Sequence, residues 1–193
     1  MKMKFVLKLA VLALAGTAYS QVLNASTLTS VAENGNTSFV AIGKPAMLRI
    51  KGAAKGPEGK LNLDQRKVSG VLSLDMSKLH TGLDLRDEHM QKKYLEVGKF
   101  PKSELKLDSL SVPALAPGAS IKDIPFEGTL SLHGETKTVK GTAQVNVKGE
   151  EYEIIATFSL NLSDFKIDIP SYMGIKVADT VNVEVSAVFS ETK

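Results

Sequence analysis

The chain has 193 residues, no cysteine and no tryptophan, and a formal charge of +3 that equals the three lysines Lys2, Lys4 and Lys8. That length holds one domain with a sizeable core, and the lack of cysteine excludes disulfide staples, thiolate nucleophiles and Cys-based metal sites. Past those lysines 21 basic side chains meet 21 acidic ones, with no basic stripe or aromatic ladder, so nucleic acid is not an expected partner.

Lys2, Lys4 and Lys8 surround a run from Phe5 to Ala15 that is apolar apart from Lys8, followed by small residues at Ala18 and Ser20. This pattern predicts a signal peptide over residues 1–20, cleaved near Ser20 and Gln21, and hence a protein of the periplasm or one that is secreted. No stretch reaches the roughly 18 to 20 apolar residues of a membrane-spanning helix, so stable membrane insertion is not expected. Residues 21–36, rich in Ser, Thr, Asn and Ala with a turn signal at Glu33-Asn-Gly-Asn36, read as a flexible lead-in to a single β domain over 37–193.

Phe39 to Ile42 and Ala46 to Lys51 are short strand candidates divided by Gly43-Lys-Pro45, Gly52 to Gly59 reads as a turn, and Lys60 to Asp64 as a further short strand. From Val68 the alternation is clear: Gly70, Leu72, Leu74 and Met76 share one face, opposite Ser69, Val71, Ser73 and Asp75. Thr81 to Phe100 interrupts it with a short helical pattern. Alternation then resumes with Leu105 and Leu107; with Phe126, Gly128, Leu130 and Leu132; and with Val139, Gly141, Ala143, Val145 and Val147. It continues through Tyr152, Ile154, Ala156, Phe158 and Leu160, and ends with Val181, Val183, Val185, Ala187 and Phe189. Turns such as His133-Gly134-Glu135 join these segments into an antiparallel meander.

About eight such strands predict an all-β sandwich or closed barrel. Gly70, Gly128, Gly141, Ala143, Ala156 and Ala187 all fall on the inner face. Either they sit opposite large residues such as Phe126, Phe158 and Phe189 in a filled core, or they leave room for a cavity that takes an elongated apolar ligand. The first reading corresponds to a structural or partner-binding β domain without ligand.

The blocks Leu85-Arg86-Asp87-Glu88-His89-Met90, Lys99-Phe100-Pro101 and Phe126-Glu-Gly-Thr-Leu130 with Leu132-His133-Gly134 and Thr136-Lys137 resemble the YceI-like, polyisoprenoid-binding family of bacterial exported proteins. The resemblance spans Phe39 to Phe189. It implies an antiparallel lipocalin-like β-barrel of about eight strands with one or two short helical insertions. It also implies a non-enzymatic role: no cofactor is required, and the channel holds an isoprenoid lipid, such as a polyprenyl phosphate tail or a ubiquinone. The channel is then expected to be lined by Leu72, Leu74, Met76, Leu85, Met90 and Tyr94, by Leu105, Leu107, Phe126, Leu130 and Val145, and by Ile154, Phe158, Val183 and Val185. Asp164-Phe165-Lys166-Ile167 resembles the family's Asp-Phe-Gly-Ile stretch, with Lys166 in the glycine position.

Arg86, Asp87 and His89 lie within one helical turn. A metal site would need a third ligand beyond His89 with His80 or His133, and no His-x-His or His-Glu-x-x-His spacing exists, so no metal is expected. The trio is expected to anchor the helical insertion, with Arg86 gripping a carboxylate and Asp87 accepting backbone N–H groups, or else to meet a ligand head group. Catalysis by His89 with Asp87 is the weakest reading. A monomer and a homodimer are both open.

Overall fold

Strands with one apolar face can bury it together by rolling into a closed sheet, which also leaves few unpaired edges. A computed structural model describes residues 25–44, 48–172 and 175–192, so the expected signal peptide, Pro45, Met47 and Met173 lie outside the described residues. The strands are β1 (Ser26–Lys44), β2 (Leu48–Lys55), β3 (Glu58–Asp64), β4 (Lys67–Asp75), β5 (Lys102–Ser111), β6 (Ser120–Leu132), β7 (Glu135–Lys148), β8 (Glu151–Asn161), β9 (Ser171–Tyr172) and β10 (Ile175–Thr192). β1, β3 to β8 and β10 pair in order, and β1 pairs again with β10, closing an antiparallel barrel of eight strands. The lipocalin-like barrel expected from the sequence is what forms.

β1 is long enough to serve two neighbours along one edge: its upper half pairs with β2 and its lower half with β3. β2 and β3 are thus one kinked stave, broken only at Gly56 and Pro57. Beside β2 the wall has a gap, because β4 ends at Asp75 and the chain leaves the sheet. The helical insertion fills it. After a 3-10 turn at Met76–Lys78, His80 exchanges two backbone hydrogen bonds with Ala53 of β2, at 2.8 and 2.9 Å. Helix α1 (Asp84–His89) follows and widens into a π turn over Met90–Tyr94, closed by the Leu95 N–H on the Met90 carbonyl. Met90, Tyr94, Leu95 and Val97 pack onto an upper core of Met76, Leu79, Leu130, Leu132, Phe165 and Ile167. A lower core gathers Leu28, Leu61, Val68, Leu107, Phe126 and Phe189.

The lead-in expected over residues 21–36 is corrected from Ser26 onward: Ser26 to Asn36 is strand. Its polar composition concealed a strand whose backbone pairs on both edges, with β10 and β3, and whose Leu28 and Ser30 are buried. The Glu33-Asn-Gly-Asn36 turn signal is realised as a bulge, where the β1–β10 register shifts between Ser30 and Gly35. The turn expected over Gly52 to Gly59 is likewise mostly strand. Gly52 lies opposite Phe39, whose ring covers it so closely that a Cβ would sit 2.2 Å from the ring edge. The glycine is there to seat an aromatic ring.

His133 and Gly134, at φ 51° and 77°, form the two-residue turn between β6 and β7, with Leu132 opposite Glu135. A primed turn needs both central residues in this region, which is why a glycine follows the histidine. Lys166, at φ 53°, ends the 3-10 turn Leu162–Phe165, a place where glycine carries no Cβ penalty. Between β5 and β6 the ladder is short: only Glu104 to Lys106 pair, with Ser131 to Thr129, and Ser120 to Gly128 have no β5 partner. That free stretch contains a bulge between Ile121 and Ile124, and then Pro125.

Several carboxylates are held in their ionised form by local donors. Asp75 lies below its usual range because the Ser77 hydroxyl and N–H donate to it. Asp179 does so through the Ser163 hydroxyl and N–H, and Glu96 mainly through Lys99. A carboxyl whose folded pKa is depressed contributes stability above its unfolded pKa and loses it as pH falls through the folded one. The melting temperature is therefore expected to be level from neutral pH down to about pH 5 and to fall steadily below about pH 4. A melting temperature unchanged down to pH 3 would count against these contacts.

Candidate ligand channel

Inside the barrel a cavity of about 790 Å³ runs between the upper and lower cores. Each strand contributes alternate residues to its wall, as period 2 requires. β4 and the residue after it supply Leu72, Leu74 and Met76; β5 supplies Leu105 and Leu107; β6 supplies Phe126 and Leu130. Val145 of β7, Ile154 and Phe158 of β8, and Val183 and Val185 of β10 complete the circuit. The insertion adds Leu85, Met90 and Tyr94. Each of these residues borders the cavity. Leu28, Thr37, Leu48 and Leu83 are there too. Leu28 lies in the stretch expected as a lead-in and Leu83 outside the alternating segments, whereas Leu48 alternates with Arg49 beside Ile50 and Lys51 and was open to detection.

The small inner-face residues divide between the two roles open at the sequence level. A Cβ on Gly128 would lie 2.8 Å from Leu105 Cδ1, and one on Gly141 2.8 Å from both the Phe126 ring and Phe158 Cβ. Those glycines make room for neighbours, and Phe126 and Phe158 meet edge-on at 6.1 Å. Gly70, at φ 150°, marks a bulge between β4 and β5, and a Cβ there would lie 2.2 Å from the Lys60 carbonyl oxygen. Ala143, Ala156 and Ala187 instead border open space.

Almost the whole wall is hydrocarbon. Within it the Thr37 hydroxyl is buried and makes no hydrogen bond. Polar side chains collect beside the insertion, where Thr81, Asp84, Arg86 and His89 reach the cavity. Leu48, Leu83 and Leu85, at 41%, 58% and 62%, are the large apolar lining residues most exposed to solvent, and we take them to mark the mouth.

Arg86 and Asp87 are committed to the local fold. The Thr81 N–H donates to Asp87 Oδ1 at 2.7 Å and the Thr81 hydroxyl to the same oxygen. Arg86 donates to the Thr81 hydroxyl at 2.7 Å and to the Thr81 carbonyl at 2.9 Å. The carboxylate partner expected for Arg86 is replaced by Thr81, because the chain between them turns back within five residues. The expected backbone bond to Asp87 forms. His89 is exposed at the mouth, and among the described residues no hydrogen bond joins it to Asp87. His133 is held instead by the Phe165 carbonyl at Nδ1, 3.0 Å, and by Glu96 Oε2 at Nε2, 3.1 Å. Among the described residues no three His, Asp or Glu side chains converge as a metal site.

A family comparison matches residues 29–189 to the YceI-like domain. The chain belongs to the YceI-like family. Among solved structures, this YceI-like chain is similar to a polyisoprenoid binding domain from Saccharophagus degradans implicated in plant cell wall breakdown. The two share 15% identity with a TM-score of 0.66, over 86% of this chain and 98% of that one. It is similar to Burkholderia cenocepacia BcnA at 19% identity and TM-score 0.66, over 82% and 98% of the two chains. It also resembles the Campylobacter jejuni YCEI protein at 16% identity and TM-score 0.60, over 76% and 87%. At such identities the likeness is one of fold. No curated protein matches the chain.

Proposed function

We propose that this YceI-like protein is an exported, non-enzymatic carrier or store for an isoprenoid or similar long apolar chain, held in the barrel channel. The observation that carries the reading is the cavity itself: about 790 Å³ of space inside the barrel, with an apolar wall from each of the eight barrel strands. Open volume of that size inside a small domain is costly unless something fills it, since native interiors pack as densely as organic crystals. A flexible hydrocarbon fits, gaining about 0.8 kcal/mol for each buried CH₂. The mouth chemistry agrees with this division of labour. Arg86 and Asp87 hold the insertion in place, so binding rests on the chain and not on a charged clamp. His89 at the mouth and the Thr37 hydroxyl within are the groups left to meet polar atoms of a ligand.

The protein, purified without detergent, extracted with organic solvent and examined by mass spectrometry, should release a prenyl lipid. A delipidated sample should melt higher with added prenyl alcohol, by about 2.7 kcal/mol in stability at a hundredfold excess over Kd. An empty extract together with an unmoved melting curve would favour the ligand-free domain.

A further inference from the structure

We propose that the channel mouth docks on the surface of an anionic lipid bilayer, with Leu48, Leu83 and Leu85 entering the interface and the tips of β1, β2 and β10 supplying positive charge. The proposal rests on the lipid-binding reading above, because an apolar chain loaded into the channel must come from a membrane and return to one. No helix among the described residues is long and apolar enough to cross a membrane, so contact has to be made from outside.

Leu48, Leu83 and Leu85 are three of the five most exposed large apolar side chains among the described residues, and all three line the cavity. Scattered exposed leucines need no explanation, but a cluster around a lipid-sized opening does. Ile175 lines the cavity at the same rim.

The charges beneath this rim are unbalanced in a particular way. On the outer wall below Leu48 and Ile175 lie Lys44, Arg49, Lys51 and Lys176, exposed, with no ion pair among the described residues. Lys44 stands directly opposite Lys176 in the β1–β10 register, and like charges so placed repel. Asp179, the first acidic residue of β10, has both carboxylate oxygens occupied by Ser163. The helical side is close to neutral by contrast: Arg86, Lys92 and Lys93 balance Asp84, Asp87 and Glu88, with Glu88 paired to Lys92 at 2.9 Å. A repulsive lysine pair kept at an apolar rim suits an anionic counterpart, and lipid head groups supply one. Leu48 is followed by Arg49, Ile175 by Lys176 and Leu85 by Arg86, the interfacial pairing of an apolar surface with cations.

The test is sedimentation of the mature protein with vesicles of three parts phosphatidylcholine to one of phosphatidylglycerol, against pure phosphatidylcholine. Binding is expected to the anionic vesicles, weakened by salt. Lys44→Ala and Lys176→Ala should each lower partitioning about fivefold, and Leu83→Ser with Leu85→Ser about tenfold or more. The lysine variants should bind a soluble prenyl alcohol as the wild type does and melt slightly higher, since they relieve a repulsion. Equal binding to both vesicle types, or lysine variants that sediment like the wild type, would overturn the proposal. Prenyl alcohol binding without any vesicle binding overturns docking and leaves the lipid reading standing, pointing the rim toward a protein partner. Vesicle binding without prenyl alcohol binding does the reverse.

Discussion

Leucine at both Ala143 and Ala156 is expected to lower retention of a prenyl lipid by at least about tenfold while leaving the barrel folded. The two alanines face each other in register across β7 and β8, and both border the cavity. Directly opposed Cβ atoms lie only about 5 Å apart, so two leucines there fill the same stretch of channel. Displacing even two ligand methylenes costs about 1.6 kcal/mol, more than tenfold in affinity. In the empty protein the added carbons enter open space instead of a packed core, so the melting temperature should hold or rise. Lipid extracted per mole of protein, beside a melting curve, reads both effects. Normal retention in the double variant would show that the cavity is not where lipid sits, and Thr142→Leu on the outer face serves as control.

His133→Ala is expected to cost about 3 kcal/mol in stability. The ring joins three separate parts of the molecule. It lies in the β6–β7 turn, donates from Nδ1 to the Phe165 carbonyl after β8, and meets Glu96 at the end of the insertion. Phe100 packs against it with ring centroids 4.7 Å apart. Its side chain is only 10% exposed, so alanine would leave the Phe165 carbonyl without its donor, untie Glu96 from the β6–β7 turn and leave a void beside Phe100. Urea unfolding measures the loss; a change below about 0.5 kcal/mol would mean that the three parts hold together without it. The insertion, untethered at Glu96, should also release lipid faster.

The inner face of the barrel was legible because alternation is a strong signal in strands with one apolar face: the strand residues from Leu72 to Val185 that share it follow from period 2. The helical insertion was legible as a break in that period. What pairs across space was not. Sequence showed Arg86 beside Asp87 but not that both would close on Thr81. It marked His133 as a turn residue but gave no sign that its ring reaches 37 residues back to Glu96. Polar strands such as Ser26 to Asn36 resist detection because their burial comes from neighbours on both edges, not from their own side chains.

The short ladder between β5 and β6 bears on how the protein behaves in a concentrated solution. Ser120 to Gly128 have no ladder partner on the β5 side, the kind of edge onto which the strand of another molecule can add. Lys122 and Asp123 are exposed there, Asp123 turns to φ 55° within the bulge, and Pro125 contributes no N–H. A strand approaching this edge meets a kink, charge and a missing donor within four residues. The chain can therefore leave its barrel wall open along one seam without seeding edge-to-edge aggregation.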